Sequence, residues 1–167
     1  MGKAETLTAE QIILLKLIRS ALWGEERPNN ADIAMDEARK QALVPLLFPD
    51  SPEAMRYSAH YIRILYAQDE LVQLMKASKI PMVVLKGSAA AIYYPDPFLR
   101  TMGDIDFIVP QSQFETACAL LPKIGYHLVK DLDFVGRHRC YQKDGIEVEL
   151  HHHYSYDDFD IEKYVQR

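Results

Sequence analysis

Two aspartates on one apolar strand constrain this chain more than any other feature. The segment Gly103-Asp-Ile-Asp-Phe-Ile-Val-Pro110 reads as a core strand from Asp104 to Val109. Strand side chains alternate between faces, so Asp104 and Asp106 point one way and Ile105 and Phe107 the other. Two carboxylates side by side among apolar residues are costly unless a cation joins them. A divalent ion with oxygen ligands meets that need.

The residues before and after this strand add to the pattern. Met82 to Leu85 reads as a strand, and Lys86-Gly87-Ser88 follows it and opens a short helix, Ser88 to Tyr93. Backbone N–H groups and a hydroxyl at a helix start suit a phosphate, and Gly87 leaves room for one to approach. The P-loop pattern is absent, and a Gly-Ser turn also has an ordinary structural use. Far along the chain, Ile146-Glu-Val-Glu-Leu150 places Glu147 and Glu149 on one strand face. A neighbouring strand that carries one of them to Asp104 and Asp106 makes a site for Mg²⁺, with Mn²⁺ as the substitute. Two such ions can clamp an in-line displacement at phosphorus.

The remainder of the chain divides near Ser78 to Pro81, into a helical extension, 1–78, and a mixed α/β core, 79–167. Thr8-Ala-Glu-Gln11 is a capping box for a first helix, Ala9 to Leu22 or Trp23, with apolar residues dense enough to be buried on more than one side. Asn30 is expected to cap a second helix, Ala31 to Leu43, which Pro45 disturbs. Ser51-Pro52-Glu53 starts a long third helix reaching Ser78, with Met55, Ala59, Ile62, Leu65, Tyr66, Val72 and Met75 as its apolar side. In the core, Gln111 to Lys123 is expected to be a helix ended by Gly125. Tyr126 to Val129, Arg137 to Gln142 and Ile146 to His153 are expected strands, with Lys143-Asp-Gly145 turning a hairpin. The order β-α-β-α-β-β-β predicts an α/β or α+β fold with helices on a face of the sheet.

Composition narrows the setting. Of 167 residues, 49% are hydrophobic and 26% charged, which is the profile of a globular chain. No apolar run reaches a membrane span, and the N-terminus lacks the order of a signal peptide, so a cytoplasmic protein without a membrane partner is expected. Cys118 and Cys140 are far apart, fit no metal spacing and are expected to be reduced. The net charge of −5 makes a nucleic acid a poor partner, because phosphate neutralisation needs clustered Lys and Arg.

Taken together, Leu85-Lys-Gly-Ser88, Arg100, Gly103-Asp-Ile-Asp106-Phe-Ile-Val and Val148-Glu-Leu-His151 resemble the nucleotidyltransferase superfamily of DNA polymerase beta. Within it, the segment from about 80 to 153 is most similar to a group of uncharacterised bacterial nucleotidyltransferases. The resemblance implies a polymerase-beta-like mixed sheet with flanking helices, preceded here by the helical extension. It implies a Mg²⁺-dependent transfer of a nucleoside monophosphate from ATP or another nucleoside triphosphate to a small-molecule or protein acceptor. Asp104, Asp106 and Glu149 would be the catalytic metal ligands, with Glu147 in reserve. Lys86, Gly87, Ser88 and Arg100 would hold the nucleotide.

Alternatives remain at this stage. Lys86 can instead point to solvent, and Arg100 can pair with Asp96 or a metal-site acid. The spacing from Ser88 to Asp104 is longer than the superfamily's common form. The acceptor wall is expected from the N-terminal helices, a partner subunit or a missing C-terminal region. The same fold without catalysis would be an antitoxin-like or nucleotide-sensing module. His151, His152 and His153 invite a zinc reading but lack further ligands. His151 is therefore expected near the substrate, and His152 and His153 at the surface. The acidic, aromatic segment from Tyr154 to Asp160 reads as a surface loop.

Overall fold

A computed structural model describes residues 6–131 and 138–153. The expected tail loop from Tyr154 to Asp160 and the expected strand start at Arg137 lie outside the described residues. The fold is α+β, a mixed five-stranded sheet with flanking helices and a helical region ahead of it. The chain forms two compact units, 1–61 with 91–101, and 62–90 with 102–167.

The first unit is helical. Helix α1 (Ala9–Trp23) starts at the expected capping box, where Thr8 accepts from the Gln11 backbone N–H and the Gln11 side chain accepts from the Thr8 N–H. Gly24 ends it in the left-handed region that a side chain disfavours. Only one stripe of α1 is buried, Ile13, Leu14 and Leu17, while Ile12, Leu15, Leu22 and Trp23 are exposed. Apolar density therefore overstated its burial.

The second expected helix is broken into a 3₁₀ turn (Ala31–Ala34) and a short α2 (Met35–Lys40), and the Asn30 side chain makes no capping hydrogen bond. Pro45 does not disturb a helix but opens one, α3 (Val44–Leu47), in whose first turn its missing N–H costs nothing. Leu17, Ala34, Ala38, Val44 and Leu47 form the centre of this unit's core, with Tyr94 and Leu99 packed against it.

Helix α4 (Pro52–Ala77) begins as expected, with the Ser51 hydroxyl accepting from the Ala54 N–H. Its buried stripe is Ala54, Tyr61, Ile64, Leu71 and Met75. Of the residues expected there, Met75 is buried, whereas Met55, Ile62 and Tyr66 are exposed. Apolar residues lie on both sides of this helix, so periodicity alone chose the wrong one.

The second unit holds the sheet. Its strands are β1 (Val83–Leu85), β2 (Ile105–Ile108), β3 (His127–Lys130), β4 (His138–Lys143) and β5 (Ile146–His151), in the spatial order β1-β2-β5-β4-β3. Strands β2 and β5 run parallel, and every other neighbouring pair is antiparallel. Helix α5 (Gly87–Ala91) follows β1. Helix α6 (Phe114–Leu120) is flanked by 3₁₀ turns on both sides, and Gly125 closes the second turn in the left-handed region. Asp144 and Gly145, both at positive φ, make the two-residue turn between β4 and β5. Ile146, Val148 and Leu150 alternate inward to the core, together with Ile105, Phe107 and Tyr141.

Replacing Ile64 with Ala should cost about 2–5 kcal/mol, because it leaves a cavity in a buried stripe. Met55→Ala should stay within about 0.5 kcal/mol, as an exposed substitution. Urea unfolding reads both, and equal costs would contradict the stripe.

Candidate active site

The face of the sheet opposite that core carries two transverse rows of residues. Directly paired residues share a face, so register alone assembles each row. One row is Leu85, Asp106, Glu149 and Cys140. The next is Val83, Ile108, His151 and His138. Asp106 sits in the first row beside Glu149, although the two lie on strands distant in sequence.

Asp106 is only 4% exposed, and its Oδ1 has two basic partners. Lys86 Nζ donates to it at 3.0 Å, and His151 Nε2 lies 3.2 Å away. The same imidazole nitrogen lies 3.2 Å from Glu149 Oε2, so His151 bridges the two acids. Burial alone would push the Asp106 carboxyl up. The hydrogen bonds from His151 and Lys86, with their charges, outweigh it and hold the pKa below the ordinary carboxylate value. Its hydrogen bond to Asp106 raises the Lys86 pKa, and the charges of Asp106, Glu149 and Asp104 add to the effect.

A left-handed turn places Lys86 there. Lys86 has φ of 48° and Gly87 has φ of 33°, between the end of β1 and the start of α5. Lys86 holds this conformation despite its side chain, a cost that clusters at functional positions. A Cβ on Gly87 would stand 3.1 Å from Met102 Cε, so the turn is closed to bulk on that side as well. The Ser88 hydroxyl donates to the Gln68 side-chain oxygen on α4. Helix α5 has five residues, so any anion here would rely on the turn's N–H groups more than on a helix dipole.

The other expected residues are placed as follows. Asp104 precedes β2 instead of lying on it, and is half-buried. It acts on Lys86 through its charge but stands outside the group of Asp106, Glu149 and His151, whose ligand atoms lie within 4.8 Å of one another. Glu147 is exposed opposite Gln142 and also stands outside that group. Arg100 belongs to the helical unit, where its guanidinium lies 5.8 Å from the centre of the Tyr94 ring. His152 and His153 are half-buried, not surface residues: the His152 ring packs 4.4 Å from Phe114 and 4.7 Å from His153.

Two further residues join the site that the sequence reading passed over. His138 Nε2 and Cys140 Sγ each lie 3.9 Å from Glu149 Oε1, and the His138 and His151 rings are 4.8 Å apart. Cys140 therefore stands with His138 and Glu149 in a group of side chains of types that can hold a metal ion, although it forms no pair with Cys118 there. Burial, with the charges of Glu149 and Glu147, pushes its thiol up to about 11. The signal was in the turn. A two-residue loop at Asp144-Gly145 sets Cys140 opposite Glu149 and His138 opposite His151.

Residues 53–167 match the family described as uncharacterised nucleotidyltransferase. The chain belongs to that family. No curated protein matches the chain. The nucleotidyltransferase match covers all of α4 but its first residue, the whole sheet and every residue of the two rows. The donor set fits a hard divalent ion: two carboxylates converge, one of them buried, with a lysine ammonium at 3.0 Å and an imidazole nitrogen at 3.2 Å from the buried one. Among the described residues no helix is long and apolar enough to cross a membrane.

The folded pKa of Asp106 lies below its unfolded value. Its ionisation thus stabilises the fold above the unfolded pKa, and that contribution is lost as pH falls through the folded one. Lys86→Ala removes one lowering partner, so the Asp106 pKa should rise in metal-free protein and acid unfolding should begin at higher pH. Carboxyl carbon NMR titration reads the first effect, and an unshifted Asp106 would contradict the pairing.

Proposed function

We propose that the chain transfers a nucleoside monophosphate from a nucleoside triphosphate to a small-molecule or protein acceptor. The observation that supports this best is the direct pairing of Asp106 with Glu149 across parallel strands, next to the turn that carries Lys86 and Gly87. Asp106 and Glu149, joined by Asp104, would hold Mg²⁺ or Mn²⁺. When bound, the ion supplies positive charge to the triphosphate and acidifies the acceptor group.

The chain's own residues do the remainder. Lys86 is 68% exposed despite its bond to Asp106, so its ammonium can turn to a phosphate oxygen once another cation neutralises the acids. The N–H groups of the turn at Gly87 and Ser88 face the phosphates in this reading, and glycine at 87 keeps the turn's positive φ while leaving room for Met102. Arg100 is assigned to phosphate by the resemblance of its position before the aspartates. Glu149 accepts the acceptor's proton as its oxygen attacks the α-phosphorus. The bond from that phosphorus to the bridging oxygen breaks, and pyrophosphate leaves. The net charge of −5 favours a small or protein acceptor over a polyanion.

The test uses nucleoside triphosphates labelled at the α-phosphate, Mg²⁺ or Mn²⁺, and a panel of small-molecule and protein acceptors. Label transfer with pyrophosphate release is expected. Asp106→Asn and Glu149→Gln should each reduce it by at least about a hundredfold, the scale of losing a group that stabilises charge in the transition state. Glu147→Gln should leave it near wild type. Nucleotide binding without transfer to any acceptor would instead favour a non-catalytic nucleotide-binding module.

A further inference from the structure

We propose that His138, Cys140 and Glu149 form a zinc site on the same sheet face, beside the Asp106 carboxylate. Their donor atoms lie within 4.8 Å of one another, and Cys140 is buried. All three come from one hairpin. His138 and Cys140 alternate on β4 and so share a face, and the register across the Asp144-Gly145 turn brings Glu149 directly opposite Cys140. The sulfur and the imidazole nitrogen each stand 3.9 Å from a single carboxylate oxygen, Glu149 Oε1.

The Cys140 thiol donates to Glu149 at that distance, whereas it is long for a hydrogen bond from His138, and both separations are close to the spacing of two ligands on one tetrahedral ion. Zinc bond lengths of about 2.0–2.3 Å put neighbouring donors roughly 3.3–3.8 Å apart, so small side-chain adjustments close the shell. One nitrogen, one sulfur and one oxygen donor also select the metal. Thiolate and imidazole suit zinc and disfavour Mg²⁺, whereas the Asp106 side of the site is dominated by carboxylate. Three protein ligands leave a fourth position for solvent or substrate. On binding, the S–H bond breaks, a zinc–sulfur bond forms and the proton leaves to solvent, with no change of oxidation state. Glu149 belongs to both groups, so the two metal preferences meet on one side chain.

Cobalt(II) titrated into the full chain tests this directly, because cobalt bound to thiolate absorbs in the near ultraviolet. A thiolate-to-cobalt charge-transfer band is expected, and stoichiometric Zn²⁺ should bleach it. Cys140→Ser should abolish the band, and His138→Ala should weaken Zn²⁺ binding by at least about tenfold. Cys118→Ser, which removes the other thiol, and Asp106→Asn should both keep the band. No band in wild type, a band that survives in Cys140→Ser, or a band lost in Cys118→Ser or Asp106→Asn would overturn the proposal. Circular dichroism checks that each variant is folded. If Cys140→Ser is not, an unchanged Zn²⁺ affinity in His138→Ala overturns the proposal in its place. The readout is independent of nucleotidyl transfer, so its failure and the failure of that activity are separate results.

Discussion

The parallel pairing of β2 with β5 forces two carboxylates together. Ile105, Phe107, Val148 and Leu150 must all face the core, and that requirement fixes the register. In that register Asp106 and Glu149 are neighbours on the opposite face. A slip of one residue would bury Glu149 and expose Val148, at the cost of a buried charge and a lost core contact. The apolar half of the sheet thus holds the acidic half in place. Two acids so placed repel unless cations intervene; Lys86 supplies an ammonium to Asp106, and the His151 imidazole nitrogen lies between the two carboxylates.

Neutralisation of this kind is easily exchanged. Lys86 reaches Asp106 from a left-handed turn while most of its side chain remains in solvent. The buried member of the pair is the carboxylate, and the cation is the exposed one. A metal ion or a phosphate can then redistribute charge without unpacking the core. The chain belongs to a nucleotidyltransferase family, and phosphorus chemistry in general depends chiefly on positioning and charge.

The parts of this account legible in the sequence were those written in local pattern. Period-two alternation set Asp106 on the face opposite Ile105 and Phe107 and Glu149 on the face opposite Val148 and Leu150, and the capping signals at Thr8 and Ser51 set helix starts correctly. Long-range pairing was not written locally. Nothing near Asp106 names Glu149 as its neighbour or Lys86 as its partner, because those contacts come from sheet topology. Helix α4 misled because it is apolar on both sides, so its buried stripe was set by tertiary packing. His138 and Cys140 were different. The hairpin turn was recognised, and counting outward from it would have found both.

A double-mutant cycle on Mn²⁺ affinity, using Asp106→Asn, Glu149→Gln and the pair, tests the shared site most directly. If the two carboxylates hold one ion, each single change already breaks the site. The double variant will then bind better than the summed losses predict, with a coupling beyond about 0.5 kcal/mol. Strict additivity of the two losses, or Mn²⁺ binding indifferent to both, would contradict a common metal site at Asp106 and Glu149.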